Sequence, residues 1–327
     1  MVIPALKSDI GRRVTLRELR LFIAAARSGS MLRAADEIGL TQPALSKSIA
    51  DLERTLGVRL LERNSRGVRP TPHGEVLLRR ATGVFEELRQ AVDELGFLTD
   101  ASRGQLRIGA TPTLCAGLLP AVINGMLGSR PRFHFEAAEL DSRKLAGEVL
   151  ARSVDLAIGP EHIASENPQL AFERLFDDRL FIAAGPHHPL AGKRSLRFEE
   201  LTRCRWVLPS PDASVTAQLR SEFQSRGLQP PEVAVTTMSV LIRSELIARG
   251  GFLTLLYGSV LRFASRPELL RVLPIDLPSG ISVGALRLRD RTLAPGADLF
   301  VRAARETARP LGGLKAAALQ RKRPTRR

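Results

Sequence analysis

Helix start and stop signals in the first seventy residues constrain the fold of this chain more than any other feature. Thr15 followed by Glu18 has the spacing of a capping box, which predicts a helix that begins just after Thr15. A Ser-Gly-Ser sequence interrupts this helix, and Gly39 ends a second, short helix where a left-handed residue is needed. Thr41 caps a third helix, and Pro43 lies in its first turn, where a missing N–H costs nothing. The pattern predicts three short helices joined by tight turns.

The order of these elements is typical of a helix-turn-helix, in which small, polar or basic residues early in the second helix of the motif face the DNA major groove. The segment that follows, from Val58, predicts a wing, because arginines surround an Asn-Ser-Gly turn and can reach backbone phosphate or the minor groove. The alternative is an amphipathic three-helix domain in which Ser46 and Lys47 are only solvated. The combination of cap, turn and wing favours the first interpretation.

Residues 28–74, SGSMLRAADEIGLTQPALSKSIADLERTLGVRLLERNSRGVRPTPHG, resemble the DNA-binding domain of LysR-type transcriptional regulators nearly throughout. The resemblance implies a winged helix-turn-helix domain over residues 14–73, with double-stranded DNA as its partner. It also implies the DNA-contacting residues, which are Gln42, Pro43, Ser46 and Lys47 at the groove and Arg63, Arg66 and Arg69 on the wing. Residues 40–74 resemble the branch of galactose-binding-protein and protocatechuate regulators, which points to a sugar or an aromatic acid as ligand.

From residue 77 onward, apolar residues recur at alternating spacings of four and three. They are Leu77, Ala81, Val84, Leu88, Ala91, Leu95 and Leu98. This heptad pattern, flanked by charged residues, predicts a linker helix over residues 74–102 that pairs with its copy in a homodimer. Two linked reading domains gain effective concentration on a two-fold site, so we expect a bipartite operator. The alternative is a long helix packed on its own domain. The family resemblance also implies tetramers built as dimers of dimers.

Beyond residue 104, strands and helices alternate in the manner of a parallel sheet covered by helices. The predicted strands cover residues 105–110, 133–136, 154–158, 179–183, 206–208, 233–235, 252–256 and 282–288. The segments 282–288 and 298–308 resemble those that return to the first lobe in LysR-type effector domains, whose fold is that of periplasmic binding proteins. The predicted fold class is therefore α/β overall, with an all-α winged helix-turn-helix, a long linker helix and a two-lobed effector domain over residues 104–309.

The predicted effector domain has a first lobe at about residues 104–165 and 270–309 and a second lobe at about residues 166–269. In paired sheets of this kind, ligands bind at the carboxyl ends of the strands, in the cleft between the lobes. Hydroxyl side chains follow several of these strands, and the family pattern supports effector-binding roles for Thr111, Thr113, Ser214 and Ser239. The alternative for each hydroxyl is a helix cap, a role that is compatible with ligand binding.

Composition limits the remaining classes of function. The formal net charge of +15 favours polyanionic partners but does not by itself establish DNA binding. No stretch reaches the roughly 20 apolar residues of a membrane span, and the N-terminus lacks a signal-peptide pattern, so no membrane partner and a cytoplasmic location are expected. Cys115 and Cys204 are too few for a metal cluster, and no cofactor is expected. A thiol sensor at Cys115 is an alternative to a small buried residue.

Gly280-Ile281-Ser282-Val283-Gly284 matches a hydrolase nucleophile elbow, but its flanks look like strand and no histidine follows it, so an enzyme is not expected. The resemblance instead implies that a small molecule closes the lobes, shifts the spacing of the DNA-binding domains and alters recruitment of RNA polymerase. A small-solute-binding protein without a regulatory role is the alternative. Residues 310–327 are predicted to form a basic disordered tail.

Overall fold

The computed structural model describes residues 13–64, 67–100, 102–278, 280–314 and 316. The chain divides into two compact units, Met1–Val92 and Asp93–Arg327. The helices are α1 Leu16–Ser28, α2 Met31–Glu37, α3 Gln42–Leu56, α4 Pro72–Thr99, α5 Pro112–Cys115, α6 Leu118–Ser129, α7 Ser142–Leu150, α8 His162–Ser165, α9 Ser214–Ser225, α10 Val240–Arg249, α11 Gly258–Phe263 and α12 Pro295–Ala308. Short 3-10 helices cover Phe198–Arg203, Pro267–Leu269 and Arg309–Leu311.

The strands of the described residues form two sheets. They are β1 Leu61–Asn64, β2 Gly67–Pro70, β3 Arg103–Ala110, β4 Arg132–Glu139, β5 Leu156–Pro160, β6 Leu170–Ala184, β7 Arg205–Leu208, β8 Val233–Thr236, β9 Phe252–Tyr257, β10 Arg271–Val272 and β11 Gly280–Leu288. β1 and β2 form an antiparallel hairpin, and the other nine strands form a sheet in the order β4-β3-β5-β11-β6-β9-β7-β8, with β10 paired to β6. Among the described residues, no helix is both long and apolar enough to cross a membrane.

The N-terminal unit packs α1, α2 and α3 around a small core closed by the β1–β2 hairpin. The predicted capping box of Thr15 and Glu18 is present, and α1 and α3 end at the left-handed C-caps Gly29 and Gly57. The core face of α1 consists of Leu21, Phe22 and Ala25. Leu16, in the first turn of α1, is 47% exposed.

The C-terminal unit has two lobes, and each lobe buries apolar side chains on both faces of its part of the sheet. In the first lobe, α6 and α12 cover one face and α7 covers the other. In the second lobe, α9 covers one face while α10 and α11 cover the other. This is the layered α/β arrangement that the alternation of strands and helices predicts. Pairing is mixed rather than wholly parallel, since β11 is antiparallel to both β5 and β6.

The strand β6 joins the lobes. Its residues up to Arg179 pair with β11 in the first lobe, and its residues from Leu180 pair with β9 in the second. The chain returns after Leu277, which still packs in the core of the second lobe. The first crossing lies 14 residues after the boundary expected at 165/166, and the second lies at least 8 residues after the boundary expected at 269/270. The reason is that one continuous 15-residue strand runs through both lobes, and its sequence does not show where its partner changes.

Candidate DNA-reading surface and ligand cleft

The helix α3 presents one face to the core and the other to solvent. Leu45, Ile49 and Leu52 are buried at helical spacing, which fixes the rotation of the helix about its axis. The N-cap Thr41 accepts a hydrogen bond from the Ala44 backbone N–H at 3.4 Å. On the outward face, Gln42, Pro43 and Lys47 are exposed and Ser46 is half-buried. All four residues predicted to lie at the groove thus occupy the accessible start of α3.

Small buried residues on α1 and α2 let the helices of this unit pack closely. Ala25, Ala34 and Ala35 are completely buried, so the helix backbones can approach without side chains between them. The turn between α2 and α3 passes through Gly39 at φ +68°, and the Leu40 backbone N–H donates to the Ala35 carbonyl at 2.9 Å. This hydrogen-bonded turn positions α3 relative to α2, as a reading helix requires.

The wing is the β1–β2 hairpin, in which Glu62 pairs with Arg69 across the strands. Arg69 is exposed. Arg66 and the side chain of Arg63, which are also predicted to contact DNA, lie outside the described residues. The hairpin meets the turn between α1 and α2, because the Val68 backbone N–H donates to the Gly29 carbonyl at 2.9 Å. At Gly67, φ is +118° and a Cβ would lie 2.4 Å from the Gly29 carbonyl oxygen, so this position requires glycine.

Glu53 fastens the base of the wing to α3, a role that the sequence analysis missed. Its Oε1 accepts the backbone N–H groups of Leu60 at 2.7 Å and Leu61 at 3.1 Å. Thr71 completes the attachment by donating to the Arg59 carbonyl at 2.7 Å and capping α4. One signal was available, because an acidic residue in the last turn of a helix opposes the helix dipole and therefore indicates another role.

A cleft between the two lobes contains a cavity of about 590 Å³ at the carboxyl ends of β3, β5, β7 and β9. Thr111 and Thr113 line it from the first lobe and Ser214 from the second. Thr111 makes no side-chain cap to α5, although capping was the alternative role for its hydroxyl. Ser239 lines a separate cavity of about 330 Å³ with Pro112 and Cys115, and its hydroxyl caps α10. The structure thus brings three of the four predicted ligand residues together.

The floor of this cleft carries buried polar groups that the sequence analysis did not select. Asp178 is 1% exposed and accepts hydrogen bonds from the backbone N–H of Ser259 at 3.0 Å and from the Ser259 hydroxyl. Burial raises the pKa of the Asp178 carboxyl to about 6 and also raises the pKa of the nearby Tyr257 hydroxyl. Arg243 is 5% exposed, and burial lowers the pKa of its guanidinium to about 10. These side chains come from β6, β9 and α10, so only the fold brings them together.

Both units match families of known proteins. Residues 16–75 match the bacterial regulatory helix-turn-helix protein of the lysR family, and residues 99–309 match the LysR substrate binding domain. The chain belongs to the LysR family of transcriptional regulators. It is a DNA-binding regulator with an effector-binding domain, and the family is not enzymatic. The expected fold class and function are confirmed.

Curated relatives and solved structures agree with this assignment. The regulator is 28% identical over 289 residues to GbpR of Azospirillum brasilense, with 87% of this chain and 84% of that protein covered. It is 25% identical over 281 residues to PcaQ of Agrobacterium fabrum, covering 84% of this chain and 90% of PcaQ. These relatives match the predicted branch. A cysteine-substituted, full-length OxyR from Pseudomonas aeruginosa has the same fold, with a TM-score of 0.65, 23% identity and coverage of 92% and 99%.

The heptad residues of the regulator divide into two groups. Leu77 packs against the core of the N-terminal unit and Ala81 is 2% exposed. The five later residues are exposed, namely Val84, Leu88, Ala91, Leu95 and Leu98. Leu95 and Leu98 reach exposed fractions of 65% and 81%. One end of the heptad therefore belongs to the core of its own unit, while the rest is an apolar stripe on the surface of the single chain.

The surroundings of the cysteines and of Ser282 bear on the thiol-sensor and hydrolase alternatives. Burial raises the pKa of the half-buried Cys115 thiol to about 11, which opposes thiolate formation and therefore the thiol-sensor alternative. Cys204 lies in the other lobe, and burial raises its pKa as well. Ser282 lies inside β11, where its hydroxyl is buried, rather than at a sharp strand-to-helix turn. Within the described ranges, no group of His, Cys, Asp and Glu could hold a metal ion.

Proposed function

We propose that the regulator binds a bipartite operator as a homo-oligomer and alters transcription when a small molecule occupies the cleft between its lobes. The orientation of α3 is the observation that supports DNA binding. Its buried side holds Leu45, Ile49 and Leu52, so Gln42 and Lys47 lie on a surface free to enter a groove. In this proposal the regulator acts in the cytoplasm and its partner is double-stranded DNA. The DNA-bound regulator recruits RNA polymerase.

The groove contacts in this proposal are Gln42, Pro43, Ser46 and Lys47. Gln42 offers an amide that can pair with an adenine edge, while Lys47 supplies charge toward phosphate. Arg63, Arg66 and Arg69 are the proposed contacts of the wing to the DNA backbone. The proposed DNA-binding domain covers residues 14–73.

The stripe at the end of α4 supports the homodimer. Val84, Leu88, Ala91, Leu95 and Leu98 recur at heptad spacing and are exposed in one chain, so pairing with a second copy would remove their apolar surface from water. Leu77 and Ala81 then serve the fold of the N-terminal unit rather than the pairing. The proposed linker covers residues 74–102, and its helix α4 ends at Thr99. In a dimer of dimers, each pair of subunits would bind two half-sites.

The cleft is the proposed effector site, with Thr111, Thr113 and Ser214 around the ligand and Ser239 positioned at the start of α10. A sugar or an aromatic acid is compatible with a cavity of about 590 Å³. The ligand can change transcription only if it binds two arrangements of the regulator with different affinity. A ligand that contacts both lobes has such a difference, because only the closed lobes satisfy all of its contacts.

The test compares the wild type with the double variant Gln42→Ala, Ser46→Ala on the DNA upstream of its own gene and on scrambled DNA, over a salt series. Base contacts give sequence preference, whereas phosphate contacts give salt-dependent binding to both DNAs. We expect the variant to lose the preference and retain only salt-sensitive binding. Gln224→Ala with Ser221→Ala is the matched control, since it makes the same chemical change on the exposed side of α9. Equal binding of wild type and variant to both DNAs would leave a two-lobed solute-binding protein.

A further inference from the structure

The guanidinium of Arg243 is buried at the cleft with few partners. Its side chain lines the cavity together with Leu255 and Tyr257 and is 5% exposed. One terminal nitrogen, Nη1, donates to the Leu255 carbonyl at 2.7 Å. Its Nε is buried and has no hydrogen-bond partner. A guanidinium carries five donors, so this environment leaves most of its capacity unused.

No carboxylate among the described residues forms a salt bridge with Arg243. Asp178, the buried acid of the cavity, is held by Ser259, and Asp141 accepts the backbone N–H groups of Arg143 and Lys144 at 3.0 Å. Asp212 is exposed. The neighbouring Glu245 forms salt bridges with two other arginines, Arg249 and Arg266.

The helix that carries Arg243 does not compensate its charge either. Arg243 lies near the N-terminal end of α10, which begins at Val240, and that end of a helix carries partial positive charge. A buried cation without a counter-charge is costly to the folded state, and proteins retain one where an anion pairs with it. The local electrostatics of the cleft are therefore suited to a ligand that brings its own negative charge.

We propose that Arg243 binds a carboxylate group of the effector, which makes the ligand class of this cleft small organic acids rather than neutral sugars. The inference rests on the proposed effector role of the cleft. The planar guanidinium fork matches a carboxylate, whose two oxygens accept parallel N–H bonds. The rest of the cavity supports an organic acid rather than an inorganic anion, because its lining includes the apolar residues Leu180, Val215, Met238, Leu256 and Ile281.

Acid and amide pairs provide a direct test with the full-length protein. The probes are acetate, benzoate and phenylacetate, each compared with acetamide, benzamide or phenylacetamide by calorimetric titration up to tens of millimolar. We expect at least one acid to bind the wild type about tenfold or more tightly than its amide, because a charged hydrogen-bonded pair is lost in the amide. Arg243→Met should bind acid and amide within about twofold of each other. Arg249→Met is the matched control, since it removes an exposed arginine from the same helix, and it should keep the preference.

Two results would overturn the proposal: a wild type that does not prefer any acid of the set over its amide, or an Arg243→Met protein that keeps the preference. A further variant separates this inference from the proposed function. Ser214→Trp fills the cavity from an exposed position, so it should abolish acid binding if the cleft is the site. Acid binding that survives in Ser214→Trp means that the cleft assignment itself fails. Acid binding that is lost in Ser214→Trp but unchanged in Arg243→Met means that only the role of Arg243 fails.

Discussion

Glu53→Ala tests whether one carboxylate holds the wing on the reading helix. Its Oε1 is the acceptor for the backbone N–H groups of Leu60 and Leu61, whose residues are only 1% and 6% exposed. Each buried donor left without a partner costs about 1 to 3 kcal/mol, so the free energy of opening the start of the wing should fall by at least about 2 kcal/mol. That change corresponds to amide exchange faster by about 30-fold at these two positions.

The measurement is hydrogen exchange at the Leu60 and Leu61 amides in the full-length protein under native conditions. Glu53→Gln should give an intermediate result, because its amide oxygen can still accept but carries no charge. Asp51→Ala is the matched control, since it removes a carboxylate from the same helix that forms a salt bridge with Arg54. Exchange in Glu53→Ala within threefold of the wild type would refute the role assigned to Glu53.

Three further changes test the wing, the cleft and the dimer. Gly67→Ala should weaken DNA binding and lower the melting temperature more than Gly39→Ala. Both positions have positive φ, but only a Cβ at Gly67 meets a carbonyl oxygen, at 2.4 Å. Equal effects of the two substitutions would contradict this reasoning. The raised pKa of Asp178, about 6, means that the folded state holds this proton more tightly than the unfolded chain. The free energy of unfolding of the wild type relative to Asp178→Asn should therefore fall by up to about 3 kcal/mol as the pH rises from about 4 to 6, and a flat difference in urea titrations would contradict it. Leu88→Asp with Leu95→Asp should convert the proposed dimer to monomers in sedimentation experiments, and an unchanged mass would exclude the stripe as the interface.

Local signals in the sequence were sufficient to predict the helices of the N-terminal unit. The pairing of Thr15 with Glu18 and the left-handed Gly29 and Gly57 act within a few residues of the helix ends they define. The groove-facing positions came from the family resemblance, and the burial of Leu45, Ile49 and Leu52 on the opposite side of α3 agrees with them. The role of Glu53 was not predicted, because its hydrogen-bond partners lie seven and eight residues further along the chain. Their approach to α3 depends on the tertiary fold.

In the C-terminal unit, the alternation of strands and helices predicted the layers but not the crossings between lobes. The strand β6 changes partner between Arg179 and Leu180 without a break in its pattern. Hydroxyl residues in the segments that follow strands, such as Thr111 and Ser214, were accessible to sequence reasoning because the carboxyl ends of parallel strands converge. The position of Ser239 was harder to predict from the sequence, because this residue caps α10 and lines a neighbouring cavity instead.

Arg243 shows why the most informative group in the cleft was invisible in the sequence. The helix α10 contains two arginines, Arg243 and Arg249, which the sequence does not distinguish. In the folded protein Arg243 is only 5% exposed, whereas Arg249 lies on the surface. Its proposed partner has consequences for signalling, because Arg243 belongs to the second lobe whereas Thr111 and Thr113 belong to the first. An acid held by the guanidinium can reach those hydroxyls only across the cleft, so its full affinity requires the closed lobes. A ligand held by one lobe alone would bind open and closed forms equally and could not shift their populations.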